Sequence, residues 1–218
     1  MKEGDVTPMD LNYAISAFVT LFIIVDPIAN VPVFVSILAN FSAEHRRGMV
    51  ARAVAIATIV LIAFTLLGGY LLTYLQVEIY SFKVAGGILL FIIALEMLFG
   101  RKTATKSSRE EEDEAKTRED VVATPLAVPL LAGPGAITAG IVLFDSAAAS
   151  VDQALLVVDI LLVFMCSYII LSKSDYFFKV LGRSGTKVIT RIMGLVLSAI
   201  AVQFVISGIR EALGAAVL

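Results

Sequence analysis

Two short stretches hold the residues best suited to chemistry. Asp26-Pro27-Ile28-Ala29-Asn30-Val31-Pro32 sets a carboxylate and an amide among two prolines; Ala132-Gly133-Pro134-Gly135-Ala136-Ile137-Thr138 sets a proline among glycines ahead of a hydroxyl. Proline inside a helix removes a backbone hydrogen bond and collides with the preceding turn, at about 3 kcal/mol. Both stretches are therefore expected to break the helices that contain them. If new helices begin at Pro27 and Pro134, each proline takes the favoured first helical position, with Asp26 and Gly133 as N-caps. The N–H groups exposed near Gly135, Ala136 and Ile137 would suit a carboxylate, and the carbonyls closing the preceding half-helices would suit an ammonium. That polarity fits a zwitterionic amino acid, and the scant side chains of Gly133, Gly135 and Ala136 favour a small one.

The elements that must position these residues are membrane helices. Of 218 residues 59% are hydrophobic, and the mean hydropathy is +0.93, well above a soluble domain at roughly 45–50% apolar. Charge-free runs extend over Ala53–Val77, Val121–Phe144 and Ile192–Ile209, each reaching the length of about 18 residues that marks a span. Leu11–Asn40, Val84–Gly100 and Ala154–Ser172 are as apolar, with one acid each: Asp26, Glu96 and Asp159. Six spans are expected. The apolar stretch after the N-terminal MKEGDVTPMD is too long for a signal-peptide core and is read as retained. Cys166 is the only cysteine, so no disulfide framework or thiolate metal site can form within one chain.

Of the 17 lysines and arginines, 14 fall on one side of these spans: Arg46, Arg47, Arg52, the six within 101–118, Lys173, Lys179, Arg183, Lys187 and Arg191. Only Lys2, Lys83 and Arg210 fall on the other. The positive-inside rule then puts both termini outside the cell and the 101–120 loop in the cytoplasm. That charge-dense loop cannot bury enough apolar surface to fold alone. It divides the chain into 1–100 and 121–218, each with three spans.

Setting Pro27 on Pro134 fixes an offset of 107 residues, which also sets Gly87 on Gly194, Leu90 on Leu197, Ile93 on Ile200, Ala94 on Ala201 and Glu96 on Gln203. A three-span unit enters on one side and leaves on the other, so its copy runs inverted, and inverted repeats place a substrate site at the midplane between them. Unwound backbone survives in hydrocarbon only where protein, water or ligand satisfies it, so the two breaks should flank a polar hollow. Blander roles stand beside this one. Asp26 serves equally as a structural cap, and Asn30 and Thr138 as partners of nearby backbone. Glu96 and Asp159 read as interfacial, His45 as a solvated loop residue, and Gly68, Gly69, Gly86, Gly87 and Gly194 as points of close helix approach. A buried membrane carboxylate is nonetheless a functional candidate, which makes Asp26 an ammonium partner or proton carrier.

The segments DPIANVPVF (26–34), KVAGGILL (83–90) and PLAVPLLAGPGAIT (125–138) resemble the signature segments of the MarC family of membrane proteins, over nearly the whole chain. The chain is most similar to prokaryotic members described as small neutral amino acid transporters, the SnatA type. The resemblance implies an all-α polytopic fold of six transmembrane helices in two inverted three-helix repeats, with discontinuous first and fourth spans. It also implies glycine or alanine as substrate and a functional core of Asp26, Pro27, Asn30, Pro32, Gly133, Pro134, Gly135 and Thr138. Ala29 departs from the family's usual glycine, and its methyl would narrow the pocket or restrict the backbone.

The resulting expectation is a multi-pass protein of the cell membrane, a secondary transporter coupled to protons or sodium, with Asp26 as the coupling carboxylate. Neither enzymatic activity, nor a cofactor, nor a nucleic-acid partner is expected, and self-association as a homo-oligomer is left open. No G-x-x-x-x-G-K-[ST] loop is present for an ATP-driven pump. The other readings are a passive pore for small polar solutes and a membrane-embedded enzyme. For the latter, Cys166 alone makes no dithiol, and Asp26, Glu96 and Asp159 are expected at different depths.

Overall fold

The computed structural model describes residues 10–39, 41–100, 127–128 and 130–216. The 101–120 linker, Pro125 and Pro129 lie outside these residues. Among the described residues all regular structure is helical: α1 Leu11–Val25, α2 Pro27–Ile37, α3 Ala43–Tyr74, α4 Ile79–Phe99, α5 Pro134–Ser146, α6 Ser150–Ser172 and α7 Ser174–Ala216. Asp10 caps α1, its carboxylate accepting from the N–H groups of Asn12 and Tyr13, and the Ser42 hydroxyl caps α3 through His45 N–H. His45 thus lies in the first turn of α3, exposed and stacked on Phe41. Gly100 closes α4 in the left-handed conformation that glycine adopts without strain. Gly182, at φ 62 and ψ −178, turns the chain sharply within α7, where a Cβ would clash with the backbone.

Five segments are long and apolar enough to cross a membrane, with α1 and α2 counted together as Leu11–Ile37. The sixth apolar helix, α5, has 13 residues and spans about 20 Å of a hydrocarbon core of about 30 Å. The chain expected to complete that span, 121–126, is outside the described residues. Side chains are sorted as in a membrane bundle: Ala17, Leu21, Leu61, Leu90, Leu156 and Leu197 are fully buried, whereas Ile59, Leu67, Leu162, Ile169 and Leu195 point outward. Lipid tails are as apolar as leucine, so outward leucines cost nothing there and small residues must bring the helices together.

The α4–α7 interface is the most extensive among the described residues, and Gly87, Gly194 and Gly208 line it. A Cβ on Gly87 would sit 2.8 Å from Ala201 O and 2.9 Å from Val205 N; one on Gly194 would sit 3.0 Å from Ala94 O and 3.2 Å from Leu98 N. The two contacts are reciprocal. Gly87 and Gly194, Ala94 and Ala201, and Leu98 and Val205 are each 107 residues apart in sequence. Gly86, on the adjacent face of α4, receives the methyl group of Thr138 from α5, and Gly140 of α5 receives Thr65 of α3.

The helices give the bundle two chemically distinct ends. One gathers Asp10, Lys83, Asp145, Asp152 and Glu211, and is called here the acidic end. The other gathers Arg46, Arg47, Arg52, Lys173, Lys179 and Lys187, and is called the basic end.

Candidate functional site

The chain leaves the helical path at Asp26 for a single residue. Pro27 disfavours the right-handed helical region for the residue before it, and Asp26 takes φ 46 and ψ 64, a left-handed conformation that aspartate tolerates better than most side chains. Its polar groups close the gap. Asp26 N–H donates to Phe22 O at 3.0 Å, its carboxylate accepts from Ala29 N–H at 3.1 Å, and Asn30 Nδ2 donates to Val25 O at 3.1 Å. Asp26 is 0% exposed and Asn30 3%. Pro27 opens α2 and is buried; Pro32 lies within α2, half-buried, without ending it. Because Pro32 has no N–H, the Ile28 carbonyl lacks its helical donor one turn past the break.

The second stretch is built differently. Leu131 and Ala132 N–H both donate to Ala127 O, at 3.3 and 3.0 Å. Gly133 is extended, at φ −75 and ψ 172, and Pro134 opens α5 with no side-chain cap. Ile137 N–H returns to Gly133 O at 3.1 Å, so Ile137 is not one of the exposed donors expected from the sequence. Gly135 and Ala136 supply the first-turn N–H groups that α5 cannot satisfy itself. Gly133 is half-buried and Pro134 exposed, while Gly135 is buried, and Ala136 and Thr138 are 2% and 6% exposed.

The two stretches meet through α1 and α5. A Cβ on Gly135 would lie 2.9 Å from Ile93, 3.2 Å from Leu90 and 3.5 Å from Ile24, two residues before Asp26. The helix carrying Asn30 and Pro32, α2, packs on α6 and α7. A cavity of about 660 Å³ opens at the acidic end, lined by Leu66, Tyr70, Thr73, Glu78, Asp145 and Gln153 among others.

Three further polar groups were not singled out from the sequence as a site. Lys83, which the sequence places just ahead of the Val84–Gly100 span, stands in the second turn of α4 at 5% exposure. Its Nζ lies 3.1 Å from Asp145 Oδ2 of α5 and 2.9 Å from Glu211 Oε1 of α7, tying three helices together. The signal was available: a lone lysine at the head of an apolar run, with carboxylates at the matching ends of two others. At the basic end Arg46 pairs with Asp175 at 2.9 Å and donates to the Phe41 and Ala39 carbonyls at 2.8 and 3.0 Å, closing the loop after α2.

Asp159 is not interfacial. It is 6% exposed and lies near the middle of α6, which starts at Ser150 rather than at Ala154. Its Oδ2, the Oε2 of Glu96 and the Oγ1 of Thr65 are buried without a hydrogen-bond partner among the described residues. Asp152, two turns from Asp159, accepts from Asp10 N–H at 3.2 Å, and Tyr13 Oη donates to Leu143 O at 2.7 Å. Among the described residues no three His, Cys, Asp or Glu side chains gather as metal ligands.

Comparison with known proteins agrees with this architecture. Residues 11–213 match the family described as MarC family integral membrane protein. A UPF0056 membrane protein of Methanocaldococcus jannaschii is 40% identical, over 94% of this chain and 100% of its own length. One from Archaeoglobus fulgidus is 41% identical, over 93% and 95%. The UPF0056 inner membrane protein YhgN of Escherichia coli is 34% identical, over 92% and 98%. No solved structure gives a significant match. A membrane-length helical bundle, a match over nearly its full length and relatives that are themselves membrane proteins lead to one conclusion: the chain belongs to the MarC family of integral membrane proteins.

Proposed function

We propose that this protein is a secondary transporter of small neutral amino acids such as glycine and alanine, proton-coupled and built from two inverted three-span repeats. The observation that carries the reading is the meeting of the two breaks. The carboxylate of Asp26, the Ile28 carbonyl and the Gly135 and Ala136 N–H groups provide acceptors for an ammonium and donors for a carboxylate. Gly135 and Ala136 bring almost no side chain to the break, and a long substrate side chain beside Gly135 would meet Leu90 and Ile93. Asp26, Pro27, Asn30, Pro32, Gly133, Pro134 and Thr138 complete the proposed site. The reciprocal Gly87 and Gly194 contacts support the repeat, since a two-fold axis in the membrane plane relates contacts in this way. The basic end is cytoplasmic on this reading. On this reading the acidic-end cavity is the approach to the site from that end of the bundle.

The test is uptake of labelled glycine, alanine and leucine into proteoliposomes holding the purified protein, under imposed proton and sodium gradients. Saturable glycine counterflow, with leucine excluded, is expected. Flux that rises linearly with concentration would identify a passive pore instead, and absence of flux for every amino acid would remove the reading.

A further inference from the structure

We propose that Asp159 is a proton-binding site in the membrane interior and that it, rather than Asp26, carries the driving proton; this rests on the transport reading above. Asp26 already caps α2 through Ala29 N–H. Asp159 makes no hydrogen bond among the described residues, and its Oδ2 is fully enclosed.

Among the described residues no cation pairs with Asp159. It sits on the buried face of α6, toward the bundle, nine residues from Ser150 and eleven before the last residue but two of the helix, Ser172 being its end. The helices packed against α6 are α1, α2, α3, α5 and α7. On α1 the titratable groups are Tyr13 and the capping Asp10, with Asp26 following its last residue; α2 has none. Between Ala53 and Gly69 α3 has none, and between Ile192 and Ile209 α7 has none. The one such residue of α5, Asp145, is engaged with Lys83. On α6 itself Asp152 lies seven residues away, on the same helix face and about 10 Å nearer the acidic end. Tyr13 is within electrostatic reach of both Asp152 and Asp159.

An anion held there would lack donor and cation alike, a cost of several kcal/mol that one proton removes. The proton adds to a carboxylate oxygen to give the neutral acid, and it leaves as the same proton when the site opens to the other side. Asp152 and Tyr13 mark the route from the acidic end. A sodium ion would need several oxygen ligands, and among the described residues no cluster of three acidic, histidine or cysteine side chains includes Asp159. A single enclosed oxygen suits a proton.

Two measurements on purified protein decide this. In proteoliposomes, Asp159→Asn is expected to lower the ratio of pH-driven glycine accumulation to zero-gradient counterflow down to its value without a gradient. Asparagine matches the neutral acid in size, so the fold should survive. Retention of the wild-type ratio would overturn the proposal, whereas wild-type protein without saturable counterflow would remove the transport reading instead. Infrared difference spectroscopy of the detergent-solubilised protein is independent of transport. With Glu96→Gln as the common background, which removes the other enclosed carboxylate, a protonated-carboxyl band is expected at mildly acidic pH, is expected to persist when Asp26→Asn is added, and is expected to be missing when Asp159→Asn is added. No such band in that background, or a band that survives Asp159→Asn, would equally overturn the assignment.

Discussion

The two ends of the bundle are each held by an ionic tie, and the ties differ in kind. At the acidic end the Lys83 side chain is 6% exposed between Asp145 and Glu211 and joins α4, α5 and α7. At the basic end Arg46 and Asp175 are 28% and 68% exposed. An exposed pair is screened by water and salt and contributes between 0 and about 1 kcal/mol. A buried ammonium pays desolvation, which its two carboxylates must offset, so removing either side of that arrangement is felt strongly. The acidic end is therefore fixed and the basic end is free to loosen. On the transport reading, motion that exposes the site begins at the basic end.

The largest effect is expected from the buried tie. Lys83→Met leaves Asp145 and Glu211 facing each other and should cost about 2–3 kcal/mol of stability in detergent, below the usual loss for a buried pair because both acids are partly solvated. Thermal unfolding measures it; a loss no greater than that of Asp175→Asn would erase the difference between the ends.

Next come two glycines of the α4–α7 interface, which the proposed repeat would place on its axis. Gly87→Ala and Gly194→Ala each force a methyl onto backbone of the facing helix, at about 1–3 kcal/mol. Their reciprocity predicts equal losses, and clearly unequal unfolding temperatures would argue against a shared axis. Asn30→Ala leaves Val25 O without its donor, at about 1–2 kcal/mol for a buried carbonyl. The same scan, with Asn30→Ser as a smaller donor, reads that loss.

The smallest effect belongs to the basic end. Asp175→Asn should shift stability by less than about 0.5 kcal/mol and abolish whatever salt sensitivity Arg46 confers. Raising sodium chloride should weaken the wild-type Arg46 pair while leaving the Lys83 network largely unchanged. Unfolding measured at low and high salt separates the two.

Much of the fold was legible because a membrane forces it to be. Apolar length reports spans directly, and Pro27 and Gly133-Pro134 announce helix starts through the missing N–H. The Gly87–Gly194 correspondence could be read as a spacing, although its contact partners could not. Other features were less legible. Asp159 reads as interfacial because the apolar run that holds it begins at Ala154, and Lys83 reads as lying outside its span because charge at the head of an apolar run is the ordinary mark of a boundary. Helix ends depend on capping and packing that polar residues such as Ser150 and Glu78 do not advertise.

By itself the sequence determined the medium, the helices, the break at Asp26 and the family, since hydropathy and backbone chemistry are local properties. Only the tertiary structure decided which polar groups are paired. Burial and partnership depend on what neighbouring helices bring to the same depth, which is why Lys83 finds two carboxylates while Asp159, on another apolar helix, finds no partner among the described residues for its enclosed oxygen.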